Sequence, residues 1–283
     1  MRRVGLALLL SAPLPALAQT VGPPSVIRPG PQEDDTRLTI GFALGAGPRY
    51  EGSDDYRLRP GGLFQGSIEG FDFAARGTNL SVDLLRETSR AKVDFVFGPL
   101  FQLRAERTKA SSITDSQVRA LGSIKPAFEL GLAGGIGISR LISPFDKLTV
   151  EVAATHDVSG IHRSTIVTPS VSYQTPLSRR TLAIVGVAAD HVGAKYGQRY
   201  FGVTPTGSAA SGLPTYTIEN GGFKSAGGTL LLAQGLGSDP RVGLSVFALG
   251  GYSELLGKYR HSPIVAVGRT GSWFGFAGLA YTF

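Results

Sequence analysis

Cysteine is absent from the 283 residues, methionine and tryptophan occur once each, and Asp, Glu, Lys and Arg together make up only 17%. Without cysteine there is no disulfide scaffold, no thiolate zinc site and no cysteine nucleophile. A charged fraction well under the usual ~25% excludes a disordered polar chain and a coiled coil. Missing too is any apolar run near the ~20 residues that a membrane-crossing helix needs. Glycine is abundant instead, at 39 residues, about twice the ~7% of an average chain. The length alone allows one or two domains at ~150 residues each. The net charge is +7, but no Lys/Arg-rich run of nucleic-acid type accompanies it, so the excess reads as scattered loop arginines and no nucleic-acid partner is expected.

The first residues address the compartment. Arg2 and Arg3 precede an apolar stretch from Val4 to Leu10, and Ala16-Leu17-Ala18 forms a small-residue cleavage site before Gln19. Residues 1–18 therefore read as a cleaved secretory signal peptide. A membrane anchor is the rival, but the run is short and broken by Pro13 and Pro15. Residues 19–36 carry Pro23, Pro24, Pro29 and Pro31, then Glu33, Asp34 and Asp35, with little to bury. They read as a flexible Pro-rich lead-in.

From residue 37 to 283 the pattern alternates with period two. Leu38, Ile40, Phe42 and Leu44 share one face, opposite Thr39, Gly41, Ala43 and Gly45; Val93, Phe95, Phe97 and Phe101 oppose Asp94, Gly98, Gln102 and Arg104. The same alternation sets Ile124, Pro126, Phe128, Leu130 and Leu132 against Lys125, Glu129 and Gly131, and it recurs at 147–157 and 164–175. Such alternation specifies strands, and no stretch has comparable helical periodicity. Soluble sandwich strands run to about 5–6 residues, whereas runs of about 10 and more suit a tilted strand crossing a bilayer. Only a closed barrel leaves no open edge in lipid. The expected fold is thus all-β: an antiparallel transmembrane up-and-down β-barrel in the cell outer membrane, its outer face against lipid.

Eleven strands are legible, near 37–49, 57–69, 71–85, 92–107, 121–139, 147–157, 164–175, 180–192, 222–235, 241–253 and 271–283. A barrel with both termini on one side needs an even number. The parity slips at Gly77, where Phe71, Phe73 and Ala75 give way to Leu80, Val82 and Leu84, so either a bulge sits there or two strands meet. A short extra strand at Ser262 to Gly268 is the other candidate. Twelve strands are expected, with ten as the alternative. Residues 105–120, 195–221 and 254–270 should be outer loops, and Pro176-Leu177-Ser178-Arg179 and Gly237-Ser238-Asp239-Pro240 periplasmic turns.

The last strand sets Trp273, Leu279, Tyr281 and Phe283 on one face. A terminal Phe with an aromatic two positions earlier resembles the signal read by the barrel-assembly machinery, and Trp273 and Tyr281 suit aromatic girdles at opposite ends of the strand.

Chemistry is hard to find. His156-Asp157-Val158-Ser159 is the best local cluster, but strand neighbours point to opposite faces, so His156 and Asp157 should diverge. His162, His191 and His261 stand singly, without metal-ligand spacing. Asp54-Asp55 follows Gly52-Ser53 as turn chemistry, and Gly134-Gly135-Ile136-Gly137 has no helix after it to make a phosphate loop. No catalytic residue, cofactor or metal is expected. The inferred inner face carries Asp72, Arg76, Asp83, Asp94, Arg104, Lys125, Glu129 and Glu151, which either line water or pair across a filled lumen. At ten to twelve strands the lumen should be narrow or occluded.

Three segments resemble the MipA/OmpV family of outer-membrane proteins. Tyr50-Glu51-Gly52-Ser53-Asp54-Asp55 is similar to its Y-x-G-S-D-D segment. Tyr200-Phe201-Gly202-Val203, then Ser211-Gly212-Leu213, Tyr216 and Gly221-Gly222, are similar to its Y-F-G-V, S-G-L, Y and G-G series. Leu256-Gly257 with Ser262-Pro263-Ile264-Val265, and Tyr281-Thr282-Phe283, are similar to its L-G, S-P-I-V and Y-x-F elements. The Pro-rich lead-in is not part of this pattern. The resemblance implies a non-enzymatic scaffold that joins a murein-cutting lytic transglycosylase to a bifunctional penicillin-binding protein in peptidoglycan biogenesis. Other members imply a porin-like channel or a surface adhesin.

Overall fold

The computed structural model describes residues 37–85, 91–239 and 242–283; the expected signal peptide and lead-in lie outside the described residues. Twelve antiparallel strands close into one barrel: β1 (Arg37–Pro48), β2 (Tyr56–Ile68), β3 (Phe71–Arg76), β4 (Asn79–Asp83), β5 (Val93–Arg104), β6 (Ala127–Ser139), β7 (Lys147–Asp157), β8 (Thr165–Pro176), β9 (Thr181–Val192), β10 (Gly222–Gly235), β11 (Gly243–Leu255) and β12 (Gly271–Thr282). Each strand pairs with its neighbours in sequence, and β12 returns to pair with β1 from Thr39↔Thr282 to Ala46↔Gly275. Closure of β12 onto β1 leaves neither terminal strand with a free edge, the condition for spanning lipid with strands; the loop-end part of β2 is a stretch of the wall paired on a single side. No described helix is long and apolar enough to cross a membrane.

The twelfth strand comes from residues 71–85, which form a hairpin. β3 and β4 pair from Arg76↔Asn79 to Asp72↔Asp83 across a turn at Gly77-Thr78, so the parity slip marks a reversal and not a bulge. Residues 262–268 are not a strand but carry a short helix, Pro263–Ala266. The strand expected at 121–139 begins only at Ala127. Ahead of it Ile124 is buried while Lys125 and Pro126 are exposed, so Lys125 does not belong to the inner face.

Strand connectivity divides the connections between two ends. Residues 69–70, 84–85, 91–92, 140–146, 177–180, 236–239 and 242 share the end at which β1 starts and β12 finishes, the turn end. Residues 49–55, 77–78, 105–126, 158–164, 193–221 and 256–270 share the opposite, loop end. The expected outer loops all fall on the loop end and the two expected turns on the turn end; Pro240 of the second turn lies outside the described residues.

The alternation explains both faces of the wall. Phe42, Leu44, Phe95, Phe97, Leu130, Leu132, Val185, Val187 and Leu279 are exposed and make an outward apolar belt. The rings of Tyr252 and Trp273 meet at a tilt with centroids 4.8 Å apart toward the loop end, and Tyr281 and Phe283 meet edge to face, also 4.8 Å apart, at the turn end. Amphipathic rings at both rims of an apolar belt are the girdles of a barrel in lipid. Inward-facing charges are paired: Lys147 Nζ lies 2.6 Å from Asp94 Oδ2, and Arg104 Nε 2.6 Å from Glu129 Oε1. Gly137 makes room for the first pair, since a Cβ there would sit 2.4 Å from both Asp94 Oδ1 and Lys147 Cε.

The closing seam is equally tight. A Cβ on Gly278 would lie 2.2 Å from the Phe42 carbonyl oxygen and 2.7 Å from Ala43 Cα, both backbone atoms. Gly278→Leu should therefore cost at least the ~1–3 kcal/mol of an overpacked core and reduce the heat-modifiable folded band on refolding into detergent. Gly62→Leu, whose Cβ would meet nothing within 4 Å, should fold like the parent; equal yields for both variants would contradict the register at the seam.

Candidate functional site

The loop end is closed by structure that the alternation does not foreshadow. Between β5 and β6 lie a single 3-10 turn, Ala110–Ser112, and helix α1 (Ser116–Ala120). Between β9 and β10 lie α2 (Ala194–Phe201) and α3 (Pro205–Ser211), and between β11 and β12 lie α4 (Gly257–Arg260) and α5 (Pro263–Ala266). Their starts follow ordinary capping rules: Asp115, Thr204 and Ser262 side chains accept from Val118, Gly207 and Ile264 N–H, and Pro205 and Pro263 occupy the first turn. At the end of α3, Gly212 takes φ +74°, the left-handed C-cap that glycine adopts freely.

These segments pack into a lid with its own apolar core. Tyr196, Tyr200, Phe201, Ile218, Tyr259 and Val265 are buried together with Ile124, Ile166, Val192 and Leu255 from the upper wall. A second cluster joins Tyr50, Ile113, Val118, Val203, Leu213 and Ile264. Hydrogen bonds lock loop to loop: Ser262 Oγ to the Phe201 carbonyl at 2.6 Å, Tyr216 Oη to the Lys258 carbonyl at 2.8 Å, Gln117 Nε2 to the Ser211 carbonyl at 3.2 Å, and Arg49 Nη1 to the Ser112 carbonyl at 2.9 Å.

Beneath the lid lies a buried charge network. Arg104 grips Glu129 with two donors, Nε at 2.6 Å and Nη2 at 3.3 Å, the strong two-point geometry of guanidinium and carboxylate. Thr155 Oγ1 and His162 Nε2 complete the shell of Glu129, each at 3.1 Å. Beside this group Lys224 bonds Glu51 and lies 3.1 Å from Asp190 Oδ2. Lys224 reaches the lumen because the register of β10 against β9 shifts between Phe223 and Ser225. The extra residue of that bulge turns Lys224 inward while Phe223 stays on the outer face, the re-aiming that bulges perform. Tyr196 of α2, fully buried, joins the two groups: its hydroxyl donates to Glu51 Oε2 and accepts from Arg104 Nη1, both at 3.4 Å. Arg104 and Lys224 each lie 5.4 Å from its ring centroid, within cation–π range.

Burial governs the titrating groups of the lid. It pushes the Tyr50 hydroxyl up to about 12 and raises Tyr196 well above the ordinary phenol range. It raises Glu51 as well, against the pull of Lys224. His156 and Asp157 diverge: His156 is exposed against Thr165, while Asp157 is buried and accepts from the N–H groups of Ser159, His162 and Arg163. Ser159 Oγ donates to Asp157 at 2.6 Å, which makes it a loop brace with no histidine beside it. Among the described residues no group of His, Asp or Glu is gathered to hold a metal.

The residues of the sequence motifs converge on this lid. Tyr50, Ser53, Tyr200, Phe201, Ser211 and Ser262 are buried in it. Gly52, at φ +92°, accepts from Arg269 N–H and presses against Val265, where a Cβ would lie 2.8 Å from Cγ2. Gly202 and Gly212 cap α2 and α3, Pro263 opens α5, Tyr216 bridges to Val203, and Gly221 and Gly222 lead into β10. Asp55 returns a carbonyl to Arg49 N–H, and Asp54 is exposed. Trp273, Leu279, Tyr281 and Phe283 lie apart from these, exposed along the outer face of β12. Lys224, Glu51, Asp190 and His162 were not legible as a site; the only cue was Lys224 breaking the alternation after Gly221-Gly222-Phe223.

A family model described as MltA-interacting protein MipA matches residues 40–283. No curated protein matches the chain. Among solved structures, the chain is similar to the outer-membrane channel DcaP of Acinetobacter baumannii (TM-score 0.40, 8% identity, 88% of this chain and 96% of that one). It is also similar to the translocator domain of the autotransporter NalP from Neisseria meningitidis (0.38, 12%, 89% and 90%). A third is a loop-deletion mutant of OmpT, an outer membrane protein of Vibrio cholerae (0.37, 8%, 88% and 98%). At these TM-scores the likenesses add nothing to what the strand pairing shows.

If the buried pairs hold the lid, Lys224→Met should be costly, because it leaves Glu51 and Asp190 buried without their cation. A loss of ~3–5 kcal/mol is expected for breaking such a group, read as a lower urea midpoint in detergent micelles. Adding Glu51→Gln should recover part of it. A Lys224→Met barrel as stable as the parent would show that the network does not hold the lid.

Proposed function

The chain belongs to the MltA-interacting protein MipA family, and from that premise we propose that this barrel of the outer-membrane type is a non-enzymatic scaffold. It would bring a lytic transglycosylase together with a murein synthase of the bifunctional penicillin-binding type, so that cutting and synthesis occur at one place. The observation that carries this reading is the family match over nearly the whole described chain, including the loop-end motifs. The sealed loop end supports it, because a lumen blocked by a packed lid and paired charges suits docking better than transport. The channel reading needs a path that the lid occupies.

In this reading the turn end, where β1 starts and β12 finishes, faces the periplasm, and murein enzymes dock there. The 140–146 turn is built to present a fixed surface. Asp146 accepts from the N–H groups of Leu141, Ile142 and Ser143 and from the Tyr173 hydroxyl. Burial opposes this, yet those bonds draw its carboxyl down to about 2. Below the ordinary carboxylate range the bonded form is favoured, so the brace holds above pH ~4 and is lost as pH falls toward 2. The turn leaves Ile142 85% exposed at its tip.

A photo-crosslinking residue in place of Ile142 tests the proposal in intact cells. Mass spectrometry of the adducts should recover a lytic transglycosylase or a penicillin-binding protein, whereas the same residue in place of the outward Val185 should capture neither. Absence of any murein enzyme from pull-downs and from adducts at every turn-end position would remove the scaffold role.

A further inference from the structure

β3 and β4 have 6 and 5 residues beside neighbours of 13 and 12, and the shortfall falls in one place. β2 pairs with β1 up to Pro48↔Tyr56, but with β3 only from Leu63↔Arg76 onward. Residues 56–61 thus have a strand on one side only. Antiparallel ladders alternate the side to which successive residues bond. Arg49 N–H donates to the Asp55 carbonyl and Gly77 N–H to the Gly62 carbonyl, so odd residues of β2 bond toward β1 and even residues toward β3. Leu58 N–H and C=O and the Pro60 carbonyl therefore point at a strand that is not there. Proline suits such an edge, having no N–H to leave without a partner. Across the gap, Leu103 N–H donates to the Thr78 carbonyl, and above it the 105–113 segment crosses to the β1–β2 loop, where Glu106 accepts from Glu51 N–H at 3.1 Å.

The gap lies at lipid depth. Tyr56 belongs to the loop-end girdle, its hydroxyl accepting from Trp273 N–H at 2.9 Å. Leu58, Pro60 and Gly62 follow on the outward face below it, Leu58 74% exposed, and a side chain on Gly62 would meet nothing within 4 Å. Backbone groups without partners are costly at that depth. Behind the gap, on the inward face, stand Arg57 and Arg59. The charged groups acting on Arg57 are Glu106 and Arg49, and on Arg59 they are Arg57, Glu106 and Arg49; Glu106 acts on Arg107 as well, so four guanidinium groups share the field of one carboxylate. Arg59 donates to the Pro48 carbonyl at 2.9 Å. The Nε atoms of Arg49 and Arg57 are buried with no hydrogen-bond partner.

We propose that this gap in the wall is a lateral binding site for an anionic amphiphile carrying a phosphate headgroup. The phosphate reaches Arg57, whose planar donors match its oxygens, within the positive field of Arg59, and its remaining oxygens accept from Leu58 N–H. The hydrocarbon chain stays outside, along Leu58, Pro60 and the exposed Leu80 of β4. A free phosphate shares the headgroup chemistry and lacks the chain, so the two sources separate by affinity.

Native mass spectrometry of the full-length barrel in nanodiscs of neutral lipid would read the binding of dihexanoyl phosphatidic acid, dihexanoyl phosphatidylcholine and inorganic phosphate. Phosphatidic acid should bind at least tenfold more tightly than either of the others. Arg57→Gln, whose side chain has no hydrogen bond to lose, should abolish the preference while the heat-modifiable band is kept. Gly62→Trp, which keeps every charge and fills the gap, should weaken phosphatidic acid binding tenfold or more. Equal binding of the two lipids, inorganic phosphate binding as tightly as phosphatidic acid, or a preference that survives Arg57→Gln would each overturn the assignment.

Discussion

A polar group withdrawn from water has to find its partner inside the chain, and this condition organises the whole molecule. In the wall it forces closure, because an open sheet edge in hydrocarbon leaves a row of N–H and C=O groups without bonds. The β1–β12 seam answers it, and Gly278 allows the two backbones to come close enough. In the lumen the same condition pairs Lys147 with Asp94 and Arg104 with Glu129. A twelve-strand barrel is narrow, so inward side chains meet each other sooner than bulk water.

The lid follows from the lumen's charges. Lys224, Glu51, Asp190, Arg104, Glu129 and His162 come from four strands and two loops, and each would be costly to bury alone. Tyr196 joins them because α2 lies across the barrel mouth, and α2 is in turn held by Ser262, Gln198 and the aromatic core around Tyr200 and Tyr259. The loops are therefore structural members as much as the strands are. In the proposed reading a mouth packed in this way has no open path of the porin kind, and the surfaces at the two ends are the places to act.

The sequence revealed the wall far better than the lid. Period-two alternation survives because each strand has lipid on one side and lumen on the other; it placed Phe42, Phe95 and Leu130 outside and Asp94, Arg104 and Glu129 inside. At residues 71–85 the parity slip at Gly77 allowed a bulge or two strands, and the pairing resolves it as two short strands joined by a two-residue turn; the alternation failed at Lys125, which lies ahead of the point at which β6 begins. The five lid helices span 4 to 8 residues, too short for helical periodicity to register. Motif residues such as Tyr50, Tyr200 and Ser262 were visible as a series, but their meeting in one layer depends on loop packing between positions far apart in sequence. Lys224 was hidden for a related reason: a bulge is a break in the very pattern used to read the strand.

The central claim is that the lid and the paired charges close the lumen, and electrical recording tests it most directly. The purified, folded barrel inserted into a planar bilayer should show no stable unit conductance at moderate voltage. Steady, ohmic single-channel steps from the unaltered protein would contradict the account, since ions would then be passing through the space assigned to Tyr196 and its partners.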